Sequence, residues 1–279
     1  MHQANRPSKQ AALFLAKLLT NVDDEKHEDT QKLGSPKQAK AAPLSTFPIN
    51  HLPPEILAEV FWNCLPETML QYAISSRKAP LLLCRVCSLW RKLALVTPTL
   101  WTTLAIVIRK LSMDLLVGGQ VINTWLERSG TLPLELSLLY SPPWRPQGTT
   151  VPTLLETILT VFYSHSSRWQ VINLHLPEHP LTSIPSLDAP LLRSFSLEAI
   201  RSKPMRFPFS ETPRLTRLTW PFPLDVSANP QIPWCQISRL YIYHGMTYFS
   251  ASEVIRSCPK LEDLEVHLFP LSGTFGCGC

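Results

Sequence analysis

Leu215-Thr-Arg-Leu218-Thr-Trp220 and Ile237-Ser-Arg-Leu240-Tyr-Ile242 share one pattern, apolar-x-x-apolar-x-apolar. The pattern recurs in Val171-Ile-Asn-Leu174-His-Leu176, Leu192-Arg-Ser-Phe195-Ser-Leu197 and Leu261-Glu-Asp-Leu264-Glu-Val266. First positions at 171, 192, 215, 237 and 261 give steps of 21, 23, 22 and 24 residues. Two wider-spaced units precede them, Trp101-Thr-Thr-Leu104-Ala-Ile106 and Pro133-Leu-Glu-Leu136-Ser-Leu138. Each unit reads as a strand that turns its pattern residues inward, with a return segment packed behind it.

A period of about 20–29 residues with this pattern is the signature of a leucine-rich-repeat solenoid. The expected fold class is therefore α+β: a small helical module followed by a leucine-rich-repeat-like α/β solenoid over residues 102–279. The longer return segments read as helices. Thr153–His165 carries Leu155, Ile158, Leu159 and Phe162 on one face, and Gly130 closes the segment ending at Ser129. Ser250-Ala-Ser-Glu253 reads as a capping box before Val254 and Ile255, and Pro259 ends that helix.

Residues between the pattern positions then face outward. One expected column is Asn173, Ser194, Arg217, Arg239 and Asp263; the next is His175, Ser196, Thr219, Tyr241 and Glu265. Arg217 and Arg239 become neighbours about 4.8 Å apart on adjacent strands. Such a pair is either simply solvated or suited to clasping an acidic or phosphorylated group. Arg217, Arg239, Thr219 and Tyr241 are the candidate target-binding residues, with the loops around Trp144 and Phe222 as alternatives.

Upstream, composition changes at Phe47. Residues 1–46 are polar and charged, and only Ala11–Leu19 could bury anything, so a disordered tail is expected. Pro53 and Pro54 suit a helix start, and Glu55 favours the dipole of its first turn. Ile56, Leu57, Val60 and Phe61 form one apolar face before Pro66 stops the helix. The polar stretch Glu67–Lys78 leads to a second helix from about Pro80 to Leu95, striped by Leu82, Val86, Leu89, Trp90 and Leu93.

The block from Phe47 to Trp101 resembles the F-box-like family, especially forms common in mushroom-type fungi. The residues that carry the likeness are Leu52-Pro53-Pro54-Glu55-Ile56-Leu57, Val60-Phe61, Leu65, Val86-Cys87, Trp90-Arg91, Leu93-Ala94 and Leu100-Trp101. They cover about a fifth of the chain. The resemblance implies a helical domain over residues 47–101 that grips a Skp-type adaptor, itself bound to a cullin. It maps the adaptor contacts to Leu52, Pro53, Ile56, Leu57, Val60, Phe61, Val86, Cys87 and Trp90. It also implies a substrate receptor that holds a protein target near the ubiquitin-conjugating machinery without reacting itself. The linker Glu67–Lys78 departs from the family in lacking a clear second helix. The plainer reading of the apolar face is a helical core with no adaptor, and the whole chain is then a leucine-rich-repeat interaction scaffold with no ligase role.

Composition excludes several classes. The net charge of +5 is dispersed, with no run of five or six Lys/Arg, so nucleic acid is not an expected partner. Seven cysteines, an odd number at irregular spacing, fit reduced thiols in the cytoplasm or nucleus. No apolar run reaches the roughly 18 residues of a membrane span. Lys17 interrupts the short apolar stretch near the N-terminus, so a signal peptide is not expected either. Nine glycines against 27 prolines argue against phosphate-cradling loops. Cys84-x-x-Cys87 has no second pair at zinc spacing, and His175 and His179 have Pro177 between them. Neither is expected to hold metal, and no cofactor is expected. The densest carboxylate cluster, Asp23 to Asp29, falls in the tail, where no fixed geometry holds it, and an enzyme is not expected. The last strand, Leu261–Phe269, is followed by ten uncharged residues that end Cys277-Gly-Cys279 and do not suit a polar cap. The repeats are expected to fray, continue or meet a partner there.

Overall fold

The computed structural model describes residues 48–67, 74–108, 118–140, 150–177, 186–200, 206–222 and 224–268. The expected tail 1–46, residues 68–73 of the linker, Trp144, His179 and the residues after 268 lie outside them. The chain divides into two compact units. One comprises the described residues through Trp101 together with Gln120–Gly130; the other comprises Thr102–Gly119 and the residues from Thr131 onward.

In the first unit, helix α1 (Pro54–Asn63) starts with proline at its first position, where a missing N–H leaves no bond unmade. Pro53 is extended, with φ −53° and ψ 143°, and its carbonyl accepts from Leu57 N at 3.0 Å. Leu57 and Phe61, one turn apart, are buried, and the Phe61 ring lies 4.8 Å from that of Trp90. The second helix expected over Pro80–Leu95 is two pieces, α2 (Leu83–Val86) and α3 (Ser88–Val96). Cys87 stands between them at φ −159° and ψ 174° and caps α3, its Sγ accepting from Trp90 N at 3.5 Å. A cysteine in extended backbone thus breaks the helical stripe. Cys87 is half-buried at this break. The Arg91 side chain donates to Cys84 O at 2.7 Å, taking up a carbonyl near the break.

A short 3-10 turn, Pro98–Trp101, ends in a fully buried tryptophan. Trp101 donates from Nε1 to Ala94 O at 2.8 Å and meets Trp125 edge-on at 4.8 Å. Trp125 lies on α4 (Gly118–Arg128), and the Arg128 guanidinium sits 4.6 Å over the Trp101 ring. Burial pushes the Arg128 pKa down from its ordinary value. Gly130, at φ 60°, ends the turn after α4, where a side chain would be strained.

In the second unit the strands are β1 (Thr103–Ile108), β2 (Leu134–Tyr140), β3 (Trp169–Pro177), β4 (Leu187–Asp188), β5 (Ser194–Ile200), β6 (Phe209–Glu211), β7 (Arg217–Trp220), β8 (Arg239–Met246) and β9 (Asp263–Leu268). Seven of them form one parallel sheet in the order β1-β2-β3-β5-β7-β8-β9, and β4 pairs with β6 in a small second sheet. Helices α5 (Thr150–Tyr163) and α6 (Tyr248–Ser257) fall between β2 and β3 and between β8 and β9. Most pattern residues are buried from β1 through β8, including Leu104, Leu136, Leu174, Phe195, Leu218 and Leu240, whereas Val171 is half-buried and Pro133 exposed. Beneath β5 and β7 the core is aromatic: Phe195 meets Phe209 at 4.9 Å and Trp220 at 6.2 Å, and Trp220 meets Phe222 at 5.5 Å.

This arrangement corrects the expected fold class. Among the described residues there is no closed leucine-rich-repeat-like solenoid and no evident small helical module ahead of one; they form an α/β arrangement, a seven-stranded parallel sheet with interleaved helices. The regular step of the repeat sets parallel strands at even intervals, but it does not make the return segments alike. Some returns are helices, two carry β4 and β6, and one holds, among its described residues, only the 3-10 turn Trp234–Gln236. Nor do residues 47–101 stand apart as a helical domain, because their compact unit also takes in Gln120–Gly130. Short helices of 10, 4 and 9 residues bury too little by themselves, and Trp101 finds its ring partner on α4.

Candidate functional site

The outward face of the sheet is read from its register. Arg217 pairs with Arg239, which pairs with Asp263, as expected. In the next row Thr219 pairs with Tyr241 and Tyr241 with Glu265. On β3, however, the expected columns are displaced by two residues. Val171, not Asn173, faces Ser194; Asn173 faces Ser196; His175 faces Glu198. The repeat unit of this strand is Trp169-Gln-Val-Ile172-Asn-Leu174, with Trp169 and Ile172 buried and Val171 half-buried. Ile172, Leu174 and Leu176 alternate, so a slip of two residues keeps every apolar side chain on the same face. Sequence pattern alone therefore does not separate the two registers.

The shift creates a polar group that the expected columns miss. His175 Nδ1 lies 2.9 Å from Glu198 Oε2, and Tyr243 donates from its hydroxyl to Glu198 Oε1 at 3.5 Å. On the neighbouring row Tyr241 donates to Asp263, and this bond raises the Tyr241 pKa. Partial burial, then Glu198, raises that of Tyr243. The signal for this group was available in Trp169-x-x-Ile172, which extends the repeat with steps of 23, 23, 22 and 24. Arg217 and Arg239 are exposed, and Thr219 and Tyr241 half-buried, so all four candidate target-binding residues share one face. Serine hydroxyls at 194 and 196 flank them, and carboxylates at 198, 263 and 265 surround them, making a face of mixed charge. Phe222, an alternative, is buried.

The residues mapped to an adaptor divide by burial. Leu52, Pro53, Ile56 and Val86 are exposed, Ile56 by 52% and Val86 by 53%. Val60, Cys87 and Trp90 are half-buried. Leu57 and Phe61, at 1% and 0%, are core residues and not available as contacts, which corrects their assignment. The apolar face of α1 is thus split: positions 57 and 61 turn inward, while 52 and 56 remain at the surface. Trp62, Leu82, Leu89 and Val96 are exposed as well, and the resemblance pointed to none of them.

Among the described residues no group of three His, Cys, Asp or Glu is placed to hold a metal ion, and no helix is long and apolar enough to cross a membrane. Cys84 is buried, which raises its thiol pKa despite the nearby Arg128 and Arg91. No family model, no curated protein and no solved structure matches this chain.

Proposed function

We propose that the chain is a non-catalytic substrate receptor of a cullin-type ubiquitin ligase, acting in the cytoplasm or nucleus. Leu52, Pro53, Ile56 and Val86 would meet a Skp-type adaptor, and the outward sheet face around Arg217, Thr219, Arg239 and Tyr241 would hold a protein target. One observation carries the reading. Of the twelve large apolar side chains exposed among the described residues, eight lie between Ile49 and Val96, the segment that resembles the F-box-like family. Exposed apolar side chains this frequent in one segment support a protein-interaction surface there. Burial of Leu57 and Phe61 supports the reading further, because it anchors α1 while Ile56 stays outside.

The test is co-purification of the full chain with a Skp-type adaptor. Leu52→Ala with Pro53→Ala is expected to abolish capture while leaving helical content by circular dichroism unchanged, since both side chains are exposed. If the wild-type chain captures no Skp-type adaptor, the ligase reading falls, and a protein-interaction scaffold without a ligase role takes its place.

A further inference from the structure

The two edges of the large sheet are not equivalent. On edge strand β1 the inward residues Leu104 and Ile106 are 0% and 6% exposed. On edge strand β9 the inward residues Leu264 and Val266 are half-buried, although their register partners on β8, Leu240 and Ile242, are 0% and 1% exposed. Leu261, the first pattern residue of the last repeat, is also half-buried, whereas Ile237 one repeat earlier is fully buried.

The β9 backbone is polarised in the same way. Asp263 N donates to Ser238 O at 3.1 Å, on the β8 side. Strand alternation then turns the N–H groups of Leu264 and Val266 outward. Among the described residues no strand lies beyond β9 in the sheet. Exposed donors and acceptors beside half-covered apolar side chains form a template for a further strand.

The side chains of β9 state what that strand carries. Asp263 and Glu265 alternate with Leu264 and Val266, so the outward face of this edge is acidic in a chain whose net charge is +5. Within the sheet the same row already places Arg239 beside Asp263. From this we infer that β9 is a docking edge for an extended segment of another protein, one that alternates apolar residues with Lys or Arg. Its apolar residues continue the core past Leu264 and Val266. Its basic residues lie opposite Asp263 and Glu265, where unlike charges stabilise neighbouring strands. Main-chain hydrogen bonds supply affinity, and the alternating side chains supply selectivity.

The experiment uses the full chain and two fluorescent synthetic peptides, one alternating Lys and Val and the other alternating Glu and Val. Fluorescence polarisation is expected to show saturable binding of the Lys-Val peptide and binding of the Glu-Val peptide weaker by about tenfold, the size expected for two cross-strand charge pairs. Hydrogen exchange is expected to show the Leu264 and Val266 amides becoming protected when the Lys-Val peptide is added. Asp263→Lys with Glu265→Lys is expected to reverse the peptide preference, an outcome that misfolding cannot imitate. Equal binding of both peptides, or of neither, overturns the inference. So does protection of those amides in the dilute free chain, which assigns the edge to the chain's own residues after 268. Protection that grows with protein concentration also overturns it, assigning the edge to a second copy.

Discussion

Phe61 and Ile56 lie five residues apart on α1, one buried and the other exposed, a difference that a pair of alanine substitutions measures. Phe61 is 0% exposed and its ring sits 4.8 Å from Trp90. Burying a phenylalanine removes about 150–250 Å² from water. At about 25 cal/mol per Å² this gives an upper figure of roughly 4–6 kcal/mol. Core Phe→Ala substitutions, which also leave a cavity, fall at about 3–5 kcal/mol. Ile56 is 52% exposed, so only about half of the roughly 1.5–3 kcal/mol for a fully buried isoleucine is at stake. The better helix propensity of alanine offsets a few tenths of that. Phe61→Ala is therefore expected to lower stability by about 4 kcal/mol and Ile56→Ala by less than about 1 kcal/mol. With a urea dependence of about 3 kcal/mol per M, the midpoints shift by about 1.3 M and less than about 0.3 M. Urea unfolding of each purified variant, followed by tryptophan fluorescence, reads the difference. Adaptor capture should show the reverse order of sensitivity once folding is accounted for: Ile56→Ala loses capture although it is folded, and Phe61→Leu, which keeps most of the apolar volume, retains it. Equal midpoint shifts for Phe61→Ala and Ile56→Ala would refute the division of the helix into a core side and a contact side.

Four further outcomes follow from the sheet and the thiols. Arg217→Glu places a carboxylate beside Arg239 in register and should raise stability by about 0.2–1 kcal/mol at low salt, whereas Arg239→Glu faces Asp263 and should not; thermal melts at two salt concentrations check both. The double variant Arg217→Glu with Arg239→Glu should weaken capture of a verified target without unfolding the chain, as read by pull-down beside circular dichroism. Burial, with a smaller contribution from Cys235, pushes the Cys258 thiol up to about 11. The folded chain therefore holds that proton more tightly than the unfolded one. The contribution is fully present below the ordinary thiol value of about 9 and is lost as pH rises from about 9 to about 11, so the urea midpoint should fall across that window and Cys258→Ala should flatten the fall. Exposed Cys64 and Cys235 should react with a thiol reagent well before buried Cys84 and Cys258.

The sequence alone determined where most strands of the large sheet lie and most of their inward residues. An apolar-x-x-apolar-x-apolar unit recurring every 21 to 24 residues puts a buried stripe on each short strand, and returns of that length are long enough for the crossovers that parallel pairing needs. The juxtaposition of Arg217 with Arg239 and of Thr219 with Tyr241 follows from counting along regular repeats. Tertiary structure decided the rest. The register of β3 needed the burial of Trp169 and Ile172, because a two-residue slip leaves the apolar face unchanged; only that register brings His175 to Glu198. The break at Cys87 was hidden because an apolar stripe continues through it, and a helix stripe records which side is buried, not whether the backbone stays helical. Likewise the pattern of α1 marks Ile56, Leu57, Val60 and Phe61 as one apolar face. Packing against Trp90 selects Phe61 as core, while Ile56 remains at the surface. Local periodicity is a property of neighbours in the chain, whereas burial depends on which distant residues arrive to cover them.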